Sequence, residues 1–77
     1  MEELVGYIVR CLVDNQDAVE IKSERDGSDI NIIVNVAEDD IGKVIGKNGR
    51  IAQSIRAIVK SVSAKEKIRY NVKINNK

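Results

Sequence analysis

The sequence predicts an α+β domain in which three helices pack on one face of a three-stranded mixed sheet. Two kinds of apolar periodicity support this prediction. Apolar residues recur at helical spacing near the amino terminus and again over a longer stretch of the second half. They alternate with polar residues in three short segments, a pattern typical of strands. The predicted order along the chain is helix, strand, strand, helix, helix, strand.

The first predicted element is an amphipathic helix over residues 2–14. Its apolar residues recur every three or four positions: Leu4, Ile8, Cys11 and Leu12, with Val5 beside them. Glu2 and Glu3 lie in the first turn, where negative charge interacts favourably with the helix dipole. Because Cys11 lies on the apolar face, we expect its thiol to be buried and inert.

Two strands joined by a tight turn follow the first helix. Val19 and Ile21 alternate with charged residues, and residues 26–29 have the composition of a turn. The second strand places four apolar residues on one face: Ile30, Ile32, Val34 and Val36. Ile33 adds an apolar residue to its other face, so we expect this strand to be central and to pair with the first as a hairpin.

Two helices and a final strand occupy the second half of the chain. The acidic residues 38–40 are candidate caps for a short helix that ends at Gly46. That helix carries three apolar residues: Ile41, Val44 and Ile45. A longer helix starts near Arg50, and its apolar residues again have helical spacing: Ile51, Ile55, Ile58, Val59 and Val62. Alternation resumes in a third strand at Ile68, Tyr70, Val72 and Ile74.

The connection between the second and third strands sets the topology. Two helices lie between these strands, and such a crossover returns the chain parallel to the strand it left, with right-handed connectivity. The first two strands are antiparallel, so the sheet is mixed. A chain of 77 residues has room for one core, and we expect a single domain over residues 1–77 whose ligands bind in a surface groove.

Charge is distributed unevenly between the two halves of the chain. Residues 1–40 hold three basic and eleven acidic residues, whereas residues 41–77 hold ten basic residues and one acidic residue. Such asymmetry favours a polyanionic partner. Alternatively, the halves interleave in the fold and the charges pair at solvated surfaces. Charge alone leaves both interpretations open.

Composition excludes several chemical classes. The chain has one cysteine and no histidine, which rules out an internal disulfide and a zinc site of ordinary ligand spacing, and we expect no cofactor. The apolar runs are too short to span a bilayer and the acidic start is unlike a signal peptide, so we expect a cytoplasmic protein. The pattern contains no catalytic constellation, so we expect neither enzymatic activity nor a small-molecule substrate.

One short segment carries most of the functional information. Residues 41–51 read IGKVIGKNGRI, in which Gly46 and Gly49 bracket a tight loop between two helices. This run resembles the (I/V)-I-G-x-x-G-x-x-I signature of KH domains, and the predicted order of elements matches the type II arrangement of that fold over essentially the whole chain. In size and in having a single domain, the chain is similar to the small bacterial RNA-binding proteins of the KhpA family.

Glycine at these two positions has a physical purpose. It permits a positive φ at the helix break and lets a sugar-phosphate backbone approach the main chain. Free N–H groups at the start of the long helix favour an anion, and Lys47 adds a mobile cation. The resemblance implies that the loop clamps single-stranded RNA, with bases in an apolar groove whose opposite wall includes the central strand. The candidate binding residues are Ile41, Lys43, Ile45, Gly46, Lys47, Asn48, Gly49, Arg50 and Ile51.

The segment around the two glycines also has simpler interpretations that involve no ligand. A G-x-x-G segment between helices can be a simple helix end followed by a turn. Lys43, Arg50 and Arg56 can be solvated surface charges as readily as phosphate contacts. Gly42 is expected only to allow close helix packing. A nucleotide-hydrolysing phosphate loop is excluded, because the segment lacks its spacing, its hydroxyl and the preceding strand.

The main alternative function is a protein-interaction module. An exposed apolar helix face could pair with a second copy or with another KH protein, RNA contact being secondary. The resemblance implies both functions, since family members act as RNA chaperones or post-transcriptional regulators and form homodimers or pairs with a larger KhpB-type partner. With Tyr7 and Tyr70 as the only aromatic residues, stacking of bases on the sheet is not expected.

Overall fold

The helices and strands follow one another in the predicted order. A computed structural model describes the backbone of residues 1–76 and the side chains of residues 1–75. Its regular elements are α1 (Glu2–Leu12), β1 (Glu20–Asp26), β2 (Asp29–Val36), α2 (Ile41–Ile45), α3 (Arg50–Glu66) and β3 (Arg69–Asn76). Short 3₁₀ turns lie at Gln16–Ala18, Glu38–Asp40 and Lys47–Gly49. Among the helices of residues 1–76, none combines the length and the apolar composition of a membrane-spanning segment.

The three strands form a mixed sheet in the order β1-β2-β3, with β2 in the centre. β1 and β2 run antiparallel on either side of a tight turn that contains Gly27, whose φ is 65°. β2 and β3 run parallel, with Ile32 beside Val72 and Val34 beside Ile74. These pairings confirm the predicted α+β class, the mixed sheet and the central position of the second strand.

The core lies between one face of the sheet and the three helices. Along the second half of β2 every other side chain is buried, as the two-residue period of a strand requires. The largest fully buried side chains come from the sheet and from all three helices: Val5, Val9, Ile32, Val34, Val36, Val44, Ile55 and Val59. The other face of the sheet carries polar residues, including Asn71, whose Nδ2 donates to Asn31 Oδ1 at 3.1 Å.

The first helix presents a different face to the core than predicted. Val13 is extended, with φ −98° and ψ 156°, so α1 ends at Leu12 rather than at residue 14. A Cβ on the buried Gly6 would lie 3.4 Å from Cγ1 of Ile21, so α1 approaches β1 closely on the side of this glycine. That approach buries Val9 and leaves the thiol of Cys11 exposed. The prediction of a buried thiol was therefore wrong.

The acidic residues 38–40 do not cap α2 in the predicted way. They form a 3₁₀ turn, and within residues 1–76 no side-chain hydrogen bond caps the start of α2. Asp40 is instead buried, and its carboxylate accepts the N–H of Asp14 at 3.3 Å and that of Asn15 at 3.0 Å. A tertiary contact has replaced the local cap, because the end of α1 lies next to the start of α2.

Candidate nucleic-acid interface

The glycine loop (residues 46–49) takes its shape from three positive φ angles. α2 ends at Gly46, whose φ of 76° and ψ of 175° lie in a region open essentially to glycine alone. Asn48 and Gly49 follow with left-handed φ values of 57° and 73°, and α3 begins directly afterwards. The N–H of Gly46 donates to the carbonyl of Gly42 at 2.8 Å, and the N–H of Gly49 donates to the carbonyl of Gly46 at 3.1 Å. The loop backbone is therefore tied to α2.

The two loop glycines are needed for different reasons. A Cβ on Gly46 would lie 2.6 Å from Cγ1 and 2.9 Å from Cβ of Ile51, so Ile51 fills the space next to Gly46. A Cβ on Gly49 would have no atom of the described chain within 4 Å. Gly46 is required by the fold itself, whereas Gly49 leaves open main chain that a ligand can approach closely.

The polar side chains of the loop are exposed to solvent. Lys47, Asn48 and Arg50 all lie on the surface. Within the described side chains, none of the three has a hydrogen-bond or ion-pair partner. The N–H groups of the first turn of α3 adjoin them and carry the partial positive charge of a helix amino terminus. This end of the domain is therefore free to receive an anion.

An open groove of about 650 Å³ lies between α3 and β3. Four cationic side chains line it, and among the described residues of its wall none is acidic. These cations are Arg56, Lys60, Lys67 and Arg69. The strand that bounds this groove is β3, at the edge of the sheet, and its described lining includes neither the central strand nor the three candidate isoleucines, Ile41, Ile45 and Ile51. β3 takes this place because α3 leads directly into it and packs against it.

Hydrogen bonds hold β3 against α3 along this groove. The N–H of Tyr70 donates to Ser63 Oγ at 3.3 Å, and the Tyr70 hydroxyl donates to Glu66 Oε2 at 3.0 Å. The hydrogen bond with Glu66 raises the pKa of Tyr70, and burial raises it further. Arg56 Nε donates to the carbonyl of Val72 at 3.4 Å. Arg56 therefore reaches across from the helix to the strand.

The groove and the glycine loop lie along one side of α3. A row of residues at intervals of three or four connects them, and such residues are neighbours on a helix surface. The row consists of Gly49, Gln53, Arg56, Lys60 and Ser63, and Lys67 continues it just past the end of the helix. A ligand that contacts the loop can therefore extend along α3 into the groove.

Comparison with known proteins identifies the family. Residues 2–74 match the family model described as KhpA/KhpB, KH domain. The chain belongs to this family of KH domains. A protein of Caldanaerobacter subterraneus subsp. tengcongensis named RNA-binding protein KhpA is 53% identical over 74 residues, which cover 96% of this chain and 99% of that protein. A protein of the same name from Halalkalibacterium halodurans is 40% identical, and the match covers 96% of this chain and 97% of that protein. Another from Listeria monocytogenes is 42% identical, with 94% of this chain and 97% of that protein covered.

In this member of the KhpA/KhpB KH-domain family, the three isoleucines among the candidate binding residues have different surroundings. Ile45 is 38% exposed, directly before the glycine loop. Ile41 and Ile51 are half-buried and pack against the core. Ile45 is thus the most open of the three to a ligand, while Ile51 supports the loop from the protein side.

Lys43, also a predicted binding residue, is held by acidic side chains. Its ammonium is ion-paired with the carboxylate of Asp14 and lies 3.4 Å from Asp40 Oδ1. The hydrogen bond with Asp14 raises the pKa of Lys43, while its partial burial acts in the opposite direction. Lys43 therefore differs from Lys47, whose ammonium has no such partner among the described residues.

Two features of this site were not predicted. Gly42 is exposed, and a Cβ there would have no atom of residues 1–76 within 4 Å, so the expectation that it allows close helix packing was wrong. Lys60, Lys67 and Arg69 line the groove but were absent from the candidate binding residues. For Lys60 and Lys67 the only available signal was their helical spacing relative to Arg56. Arg69 belongs to β3, and the packing of β3 against α3 depends on the tertiary fold.

Proposed function

We propose that this protein binds single-stranded RNA and holds the RNA backbone at the glycine loop. One observation carries the proposal: on this loop Lys47 and Asn48 are exposed without partners in the described chain, and Gly49 leaves the main chain open. The family membership supports it, as do relatives that are named RNA-binding protein KhpA. Those names favour RNA among the possible polyanions.

The loop has suitable chemistry for a phosphodiester. N–H groups at the start of α3 carry partial positive charge, and the ammonium of Lys47 adds a full charge on a flexible side chain. The absence of a Cβ on Gly49 allows a phosphate oxygen to approach the main chain. Contacts of this kind weaken with salt: for a single strand, the slope of log affinity against log salt is about −0.7 per neutralised phosphate.

In this proposal the neighbouring nucleotides lie in the groove between α3 and β3. Its four cations suit the RNA backbone, and Arg56, which spans the groove, is placed to contact the edge of a base. β3 is an edge strand, and the backbone groups on its free side that are not bonded to Ser63 or Arg56 are available to hydrogen-bond a base. Tyr70 is the single aromatic residue in the described lining of the groove, so recognition there depends on hydrogen bonds and apolar contacts more than on stacking.

The arrangement of charge supports the same proposal. β1, the edge of the sheet opposite β3, carries three acidic and two basic residues, whereas the described wall of the groove between α3 and β3 holds four cations and no acidic side chain. Arg69 is ion-paired with Asp29 of β2, whereas Arg56, Lys60 and Lys67 have no acidic partner among the described side chains. Of the two interpretations of the charge asymmetry, this placement favours a polyanionic partner.

The proposal includes a cellular role for the protein. We expect a non-enzymatic, cytoplasmic RNA chaperone or post-transcriptional regulator. A KH loop clamps about four nucleotides, so the affinity of one domain is modest. Pairing with a second copy or with a KhpB-type partner would raise the affinity for a longer RNA through effective concentration.

One observation favours a second candidate function, association with another KH protein. Ile58 is 44% exposed although it belongs to the apolar repeat of α3, and the neighbouring Ala57 is exposed as well. An interface through Ile58 is apolar, so it should persist at salt concentrations that weaken RNA binding. Sedimentation of wild type and Ile58→Lys at low and high salt tests this function separately.

The RNA proposal is tested by fluorescence anisotropy of a short labelled single-stranded RNA. The test protein is the double variant Lys47→Asp, Asn48→Asp, which reverses the charge of the loop. The matched control is Lys22→Asp, Ser28→Asp, which makes the same change in net charge on β1 and the β1–β2 turn. Circular dichroism verifies that all three proteins fold.

We expect the loop variant to lose RNA binding and the control to keep most of it. Equal loss in both variants would mean that net charge alone governs binding, with no site at the loop. Absence of binding by the wild type, or equal binding by all three proteins, would make association through α3 the leading function.

A further inference from the structure

Asp40 is the one charged residue that is buried among the described side chains, with 3% of its surface exposed. A carboxylate in such a position is tolerated only when it is hydrogen-bonded or ion-paired. Both requirements are met: the N–H groups of Asp14 and Asn15 donate to it, and the ammonium of Lys43 lies 3.4 Å away. Asp40 is thus a fully engaged group outside the glycine loop.

These contacts join the segment after α1 to the helix that carries the glycine loop. Asp14 and Asn15 lie just past the end of α1, and Asp40 directly precedes α2. Lys43, one turn further on, is also ion-paired with the side chain of Asp14. We call the cluster of Asp14, Asn15, Asp40 and Lys43 the tether.

α2 depends on tertiary contacts because it is only five residues long. A helix of this length has no stability of its own in water. Val44 anchors the middle of α2 in the core, and the tether holds its beginning. Since the N–H of Gly46 donates to the carbonyl of Gly42 within α2, a movement of α2 would be transmitted to the loop.

We infer that Asp40 is a positioning residue for RNA binding and that Lys43 acts within the tether rather than on an RNA phosphate. This inference rests on the proposed function. Neither residue needs to touch RNA, because the tether keeps α2 and the glycine loop in place before RNA arrives. A pre-positioned loop loses less conformational freedom on binding, and the affinity rises accordingly.

Asp40→Asn tests the inference with little change in shape. The substitution removes the charge and places an amide N–H₂ where one of the two backbone donors needs an acceptor. We expect RNA affinity to fall about five- to tenfold, with an unchanged salt slope because no phosphate contact is lost. Asp39→Asn, an exposed neighbour with the same change in charge, should not weaken binding. Wild-type affinity in a folded Asp40→Asn protein would overturn the inference.

Lys43→Gln separates the two possible roles of this lysine, and it serves also if Asp40→Asn does not fold. A role in the tether predicts weaker binding with the wild-type salt slope. A direct phosphate contact predicts a slope shallower by about 0.7, and that result would overturn the inference. Lys47→Gln provides the reference, since its slope is expected to become shallower.

Amide hydrogen exchange distinguishes failure of this inference from failure of the proposed function. We expect the amides of Gly46 and Gly49 to exchange faster in Asp40→Asn than in Asp39→Asn. Val5→Ala, a core substitution in α1 outside the tether, should leave RNA affinity unchanged at temperatures where it is folded. Equal protection in all variants would overturn the positioning role. If the loop amides exchange faster in Asp40→Asn but the wild type binds no RNA, the proposed function is refuted. The effect of the tether on the loop would still be established.

Discussion

Alanine at Gly46 should destabilise the domain much more than alanine at Gly49. The backbone angles of Gly46 lie in a region that costs other residues about 1–3 kcal/mol. The new Cβ would also lie 2.9 Å from Cβ of Ile51, an atom that no change of rotamer can move, and such overpacking costs about 1–3 kcal/mol more. The expected loss for Gly46→Ala is therefore about 2–6 kcal/mol.

For Gly49→Ala the expected loss is smaller. Its φ of 73° costs an alanine about 1–2 kcal/mol, and the added methyl group meets open space. Gly27 offers a matched control, since it has a φ of 65°, open surroundings and a position in the β1–β2 turn. Gly49→Ala and Gly27→Ala should be equally stable, but only Gly49→Ala should weaken RNA binding.

Urea unfolding followed by circular dichroism measures the three stabilities, and anisotropy measures RNA affinity. In urea the m value of a small domain is about 1–3 kcal/mol per M, so a stability difference of about 1 kcal/mol or more between Gly46→Ala and Gly49→Ala shifts the midpoint by a readily detected amount. If Gly46→Ala were no less stable than Gly49→Ala, the packing of Ile51 next to Gly46 would not be the reason for glycine there.

Three further predictions concern other parts of the molecule. Gly42→Ala should raise the free energy of unfolding by about 0.5–1 kcal/mol, because an exposed helical position with open surroundings favours alanine. A lower free energy of unfolding, measured in urea, would contradict this prediction. The contribution of Asp40 to the stability of the domain should depend on pH. Its pKa is lowered in the folded state, chiefly by the hydrogen bond from the N–H of Asn15. Asp40 therefore stabilises the fold above its unfolded pKa of about 3.9, and this stabilisation is lost as the pH falls through the lowered pKa. When the free energy of unfolding is measured from about pH 6 downward, Asp40→Asn should lose less stability than the wild type. The same dependence of stability on pH in both proteins would show that Asp40 does not contribute in this way. The thiol of Cys11 should react with a thiol reagent in the native protein as fast as in urea, whereas strong protection would show that it is buried.

Local periodicity was enough to predict the order of the elements and the sheet. The apolar Ile33 on the otherwise polar face of β2 indicated that this strand is central, and Gly46 indicated the end of the short helix. Both signals depend only on residues a few positions apart in the chain. The glycine loop could also be predicted, since its two glycines and flanking isoleucines are contiguous in sequence. The family match over residues 2–74 confirms the resemblance inferred from that run.

Features that depend on contacts distant in sequence could not be predicted. The close approach of Gly6 to Ile21 determines which face of α1 is buried. Helical spacing alone fitted another face, which contains Cys11, and Cys11 is exposed. Asp40 looked like a cap, but its hydrogen bonds reach residues 14 and 15. The groove arises where α3 packs against β3, so its cations form a site only after the crossover is complete.

We propose that the glycine loop and the adjoining groove receive single-stranded RNA. A titration of ¹⁵N-labelled protein with a short single-stranded RNA, followed by amide chemical shifts, tests it most directly. We expect the amides of residues 46–50 to shift first and most strongly, followed by those of Arg56 and Tyr70 in the groove. Shifts confined to α1 or to the polar face of the sheet, with the loop amides unmoved, would contradict it.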